Sequence, residues 1–259
     1  MRHIDWLGLP GSGKSTLHRA TLRWADEITP TLSTNGVVTQ YLKHHSSDPV
    51  WKTMGRVVPA GLLGRFAQPA FLRSPDHFTS IRDFMLRYPD LVEVVLASSR
   101  RRSGFEPRAD MILGWWLHLA AVYVAAGELP GDPVVLFDEG FTNRAISLFG
   151  YRFGDVDEPD LDRYVHSIPR PSAVVYLATP VETCIERIDD WSVRFADFPA
   201  EERVAFMHSA QRCLERVVDH LNGMSVAVCV VKNEGDVDEA LRDLRGQLTP
   251  VLRGTESGS

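Results

Sequence analysis

Residues 5–20 read DWLGLPGSGKSTLHRA, an apolar run followed at once by three glycines, a lysine and three hydroxyls. The spacing Gly8-x-x-x-x-Gly13-Lys14-Ser15 is that of a loop whose backbone N–H groups close around phosphate oxygens. Missing Cβ atoms let the main chain approach an anion. The N-terminus of the helix that follows adds the positive end of its dipole. On this reading Pro10, Gly11, Ser12, Gly13, Lys14, Ser15 and Thr16 surround the phosphates. Lys14 reaches the β- and γ-phosphates, and the Ser15 hydroxyl is a ligand for Mg2+. The stretch predicts a strand over 4–7, a helix over 14–26 and a site for a nucleoside triphosphate.

Working outward, "GVVTQ" (36–40) reads as a second strand. Residues 41–132 contain no convincing strand but carry helical patterns over 76–87, 90–99 and 110–126, with Asp76, Asp90 and Asp110 as N-caps. Pro89 and the 104–107 stretch separate the later helices. The apolar runs at 133–140, 172–180 and 225–231 read as buried strands. Helices are expected over 180–188, 200–221 and 237–248. Apolar strands alternating with helices predict a mainly parallel sheet of about five strands covered on both faces, with a helical insertion beside it. No repeat or interdomain linker is visible, so residues 1–249 are read as one α/β domain and 250–259 as a flexible tail.

The second candidate site is "VVLFDEG", where Asp138 and Glu139 close an apolar strand. Ligands of parallel α/β sheets gather at the carboxyl ends of strands. Asp138 is therefore expected to face the same crevice as Lys14 and, with Ser15, to hold Mg2+. Glu139 is a candidate base or positioner of the attacking oxygen. The competing reading is an ordinary acidic N-cap. Asp5, in the first strand, is a further acid that either joins the site or pairs with a neighbour.

Composition limits the partners. The chain has 259 residues, 44% hydrophobic and 24% charged, with a formal net charge of −6. An acidic balance argues against duplex nucleic acid or an anionic membrane as the main partner. Three widely spaced cysteines, Cys184, Cys213 and Cys229, form no CxxC pair and read as small buried apolar residues of a cytoplasmic protein. The richest apolar stretch, MILGWWLHLAAVYVAAG, is shorter than the about 20 residues of a membrane span and carries His118, so it reads as a buried helix. Neither the NKxD signature of guanine readers nor an LSGGQ-like signature is present.

The segments GLPGSGKST, VVLFDEGF and VVYLATPVETCIERI, with an arginine beyond, resemble the P-loop small-molecule kinases, in the thymidylate kinase and deoxynucleoside kinase group. The resemblance covers residues 1–40 and 133–249. It implies a P-loop-type fold and transfer of the γ-phosphoryl of ATP to a small molecule, with ATP and Mg2+ as cofactors. It places Arg187 and Arg194 in a lid over ATP, where guanidinium groups stabilise charge on the transferred phosphoryl. Asp189 and Asp190 make this lid less basic than the usual pattern. The resemblance also places adenine near residues 232–235, including Asn233, and the acceptor beside 41–132. Arg144, Arg152 and the basic run Arg100, Arg101, Arg102 and Arg108 are candidate acceptor contacts, and Arg144 and Arg100 are the two chosen from them. Trp115, Trp116 and Tyr123 read as core, and His44 and His45 as an ordinary loop pair. The acceptor is a nucleoside, a nucleotide or another hydroxyl compound, with nucleic acid entering only as a modified base; a homodimer is compatible. The alternatives are an ATP hydrolase, in which Glu139 activates water, and a nucleotide-binding regulatory protein without turnover.

Overall fold

The computed structural model describes residues 1–46, 51, 53, 60–100, 109–150, 158–188 and 199–254. Five strands, β1 (His3–Leu7), β2 (Thr31–Ser33), β3 (Val134–Phe137), β4 (Ala173–Leu177) and β5 (Ala227–Val231), form one all-parallel sheet in the order β2-β3-β1-β4-β5. Eleven α-helices among the described residues flank it, giving an α/β fold of P-loop type. They are α1 (Lys14–Ala25), α2 (Thr34–His45), α3 (Ala60–Leu72), α4 (Pro75–Arg87), α5 (Pro89–Arg100), α6 (Ala109–Gly127), α7 (Phe141–Ala145), α8 (Glu158–Ser167), α9 (Val181–Glu186), α10 (Ala200–Gly223) and α11 (Val237–Arg253). A π-helical turn, Ile146–Gly150, continues α7.

The two faces follow from the period of a strand, which sends successive side chains to opposite sides. Ile4, Trp6, Val134, Leu136, Val175, Leu177 and Cys229 pack with α1 and α11. Leu7, Val135, Phe137 and Val174 pack with α2, α6, α7 and α10. The chain leaves β1 for α1 on one face and leaves β3 for α7 on the other. Neighbouring strands whose connections part in this way leave a crevice at their carboxyl ends. The register Asp5↔Phe137 brings the glycine-rich loop after β1 level with Asp138 and Glu139 after β3.

The expected second strand over 36–40 is instead the body of α2. Ser33 caps this helix, its side chain accepting from the Gly36 N–H at 3.1 Å. Val37, Val38, Tyr41 and Leu42 are all buried, a stripe with helical rather than strand period. The β-branched run Val37–Thr39 suggested a strand, but the cap and the stripe decide for helix, and the strand that pairs with β3 here is Thr31–Ser33. The expected caps Asp76, Asp90 and Asp110 are also displaced. Ser74 caps α4 through the His77 N–H at 3.2 Å. All three aspartates lie in first turns, where a carboxylate meets the positive dipole end. Pro89 occupies the first position of α5, the place where proline lacks no needed donor.

The apolar stretch forms α6, whose Asp110–Gly127 window is long and apolar enough to cross a membrane by length and composition, with a mean hydropathy of 1.3. Half of that window is buried, packed against α4 and α2. Trp116 lies in the core and Tyr123 packs against it. All three cysteines are buried and form no disulfide, as expected.

Candidate active site

Glycine is required at two loop positions by both space and conformation. Gly11 has φ +78, and a Cβ there would lie 2.3 Å from the Cys184 carbonyl oxygen of α9. Gly13 has φ +90, and its Cβ would lie 2.3 Å from Asn233 Nδ2. Such left-handed conformations are rare for any side-chain-bearing residue. The loop is therefore held from behind. Asn233, 4% exposed, donates to the Ser12 carbonyl at 2.7 Å, and Thr179 donates to the same oxygen at 3.3 Å. Arg187, the C-cap residue of α9, donates to the Asn233 carbonyl at 3.0 Å. Asn233, placed beside adenine by the resemblance, thus spends its amide on the loop itself. Lys14 Nζ lies on the loop's own Gly8 and Leu9 carbonyls, the latter at 2.9 Å.

A cavity of about 450 Å³ opens in front of the loop. Gly8–Gly11, Gly13–Thr16, Glu139, Asn143, Arg144, Arg187 and Phe206 are among its lining residues. A second cavity of about 360 Å³ is lined by Ser15, His18, Arg19, Ser33, Thr34, Asn35 and Asp138, among others. Ser15 lines both. The adjacent acids therefore part. Glu139, not Asp138, faces the cavity that holds Lys14. Asp138 faces Ser15 across the second cavity, where it accepts from the Thr34 hydroxyl at 3.3 Å. Neither acid caps the following helix, whose N-cap is Gly140.

Arg144 is 14% exposed and reaches Glu139 Oε2 at 3.1 Å. Its guanidinium lies 5.7 Å from the centroid of the Trp115 ring, so Trp115 serves this arginine as well as the core it packs against. The Arg144 Nε is buried with no hydrogen-bond partner among the described residues. Arg100 is the last residue of α5. Arg194, with Arg101, Arg102, Arg108, Arg152, Asp189 and Asp190, lies outside the described residues.

Asp5 does not line either cavity; it braces the site from below. Its Oδ2 accepts from the Thr142 N–H at 3.0 Å and the Thr142 hydroxyl at 2.9 Å. Burial pushes its carboxyl above the usual range, opposed by His3 and the two Thr142 bonds. A Cβ on Gly140 would lie 2.1–2.4 Å from this carboxyl group. The glycine of "DEG" is thus a matter of space at ordinary φ (−71). Asn143 tethers the two loops, its Oδ1 accepting from the Gly8 N–H at 3.4 Å. Sequence reading passed over Asn143 and Thr142, which carry no motif; their place one turn after the acidic pair was the available signal. His18 packs edge-on against Trp6 and lies 3.0 Å from the Leu136 carbonyl. Burial lowers its pKa.

No protein-family model matches the chain, and no curated protein matches it.

Proposed function

We propose that this chain is an ATP- and Mg2+-dependent kinase that phosphorylates a hydroxyl group of a small molecule. The observation that carries this reading is the common cavity of the glycine-rich loop, Lys14, Arg187 and the Glu139–Arg144 pair. The donor set fits the groups required. The Ser12 hydroxyl is buried with no hydrogen-bond partner among the described residues, and Gly11 and Gly13 let the loop lie directly against Cys184 and Asn233 behind it. Ser15 and Asp138 offer hard oxygens across one cavity, the chemistry Mg2+ prefers. Bound Mg2+ would neutralise charge on the polyphosphate.

The chain's own residues supply the rest. The loop amides and the α1 N-terminus hold the phosphates. Lys14 exchanges its two carbonyl partners for phosphate oxygens. Arg187, fixed through the Asn233 carbonyl, stabilises charge that develops on the transferred group. Glu139 Oε accepts the acceptor's hydroxyl proton, and Arg144 fixes that carboxylate in place. Arg194 and Arg100 remain expectations of the lid and the acceptor side.

The same parts with water as acceptor would make a hydrolase, and without turnover a nucleotide-binding regulator. The half-buried Arg144 fixes Glu139 in one place, which favours a carboxylate that orients an acceptor hydroxyl over one that activates a mobile water. The test is ADP release measured alone and with nucleosides, nucleotides, sugars and aminoglycosides. A kinase is nearly idle alone and accelerates at least tenfold with one class, with a phosphorylated product by mass. Equal rates throughout would point to hydrolysis, and binding without any ADP release to a regulator.

A further inference from the structure

A second chemical cluster lies away from the nucleotide cavity. Asp162 and His166 are four residues apart on α8, so they share one face. His220, near the C-terminal end of α10, meets them from the neighbouring helix. Asp162 Oδ1 lies 3.0 Å from His166 Nδ1 and 3.2 Å from His220 Nδ1. The three ligand atoms all fall within 4.8 Å of one another. The imidazole rings stand 6.0 Å apart at 75°, so the two Nδ1 atoms converge on the carboxylate rather than stack. His166 Nδ1 also lies 2.9 Å from the Asp162 carbonyl.

We propose that Asp162, His166 and His220 form a zinc-type metal site that clamps α8 to α10. Zinc bonds to imidazole nitrogen and carboxylate oxygen of about 2.0–2.2 Å place tetrahedral ligands about 3.3–3.6 Å apart. The observed 3.0 and 3.2 Å edges need only a small outward movement. The donor set chooses the ion: two imidazoles and one carboxylate suit Zn2+, Co2+ or Ni2+, whereas Mg2+ and Ca2+ demand oxygen. The side chains are 50%, 54% and 30% exposed, which leaves the fourth position to water. Both imidazoles bind as neutral rings through Nδ1, with Nε2–H turned to solvent, so His166 gives up its backbone contact.

Position decides the role. His220 follows Phe206, which lines the nucleotide cavity, by fourteen residues on the same helix, or roughly 21 Å. A metal there cannot touch a reacting phosphate. It ties the far end of α10 to the helix beside it.

The test uses the tag-free full chain, stripped with EDTA and desalted. Co2+ is titrated in by visible absorption, and Zn2+ by competition with a chromophoric chelator. The expected result is one equivalent per chain, a rise in Tm with Zn2+, and binding weakened at least tenfold in His166→Ala, His220→Ala and Asp162→Asn. Mg·ATP binding should be unchanged in all three. Asp162→Asn keeps an acceptor oxygen, so it guards against a variant lost to misfolding. Wild-type affinity no tighter than that of the His166→Ala/His220→Ala double variant would overturn the proposal and leave a hydrogen-bonded triad. Stoichiometric metal retained by that double variant would overturn it equally.

Discussion

At the scale of single residues, the site depends on what is missing. Gly140 leaves room for the Asp5 carboxyl, which in turn holds Thr142 and the start of α7. Gly140→Ala inserts a methyl into that carboxyl and should cost about 1–3 kcal/mol, the usual range for overpacking. Urea unfolding of the variant measures this directly; an unchanged midpoint would mean that Asp5 can move aside freely. Asn233→Ala removes the bond to the Ser12 carbonyl. A lost bond of about 1.4 kcal/mol corresponds to tenfold in affinity. The variant should bind Mg·ATP about tenfold more weakly with its fold intact, as calorimetry beside circular dichroism would report. The turn from β1 into α1 and its left-handed glycines were legible in the sequence, because their cause is local. Asn233 was expected beside adenine, whereas its amide bonds the loop; that task depends on the distance between β5 and the loop. The different directions of Asp138 and Glu139 were not legible either, because they follow from how the chain turns after β3.

At the scale of elements, α2 is the instructive case. Its residues read as a strand because Val37, Val38 and Thr39 are β-branched, yet the Ser33 cap and the Tyr41–Leu42 continuation make a helix. Ser33→Ala should destabilise the protein by about 1 kcal/mol, the worth of an N-cap; equilibrium unfolding checks it, and no loss would contradict the cap. The helical block also sets a pH response. His118 of α6 lies 3.4 Å from His77 of α4. Burial lowers the pKa of both; at His118 the neighbouring His77 and Arg144 add to this, bringing it to about 4. The unfolded chain takes up these protons near pH 6.5, while the folded chain takes up that of His118 only near 4. Between those values the unfolded state binds more protons, so stability falls as pH drops from about 6.5 towards 4. Buried His3 and His18 act in the same direction, and Asp5, with its raised pKa, opposes them. Thermal melts across that range should show Tm dropping, with a shallower slope in His118→Gln. A slope identical to wild type would remove His118 from the account.

At the scale of the whole molecule, strand order and connection direction create the crevice, and the sequence carried that through its alternation of apolar strands with helices. A mainly parallel sheet of about five strands was readable from it, with β1, β3, β4 and β5 in place and the second strand misplaced at 36–40; the order β2-β3-β1-β4-β5 is fixed by pairing between distant segments. The helices of 75–127 were readable as helices, whereas α3 (Ala60–Leu72) was not; their packing on the Phe137–Phe141 side was not readable either, because one helical stripe does not name its partner. The architecture makes the loop after β1 and the acids after β3 parts of one device. Calorimetric titration of Mg·ATP into the folded full chain tests that device most directly. The account predicts one site of micromolar affinity, weakened at least tenfold by EDTA and lost in Lys14→Ala. Absence of binding by wild-type protein, or equal binding by Lys14→Ala, would contradict it.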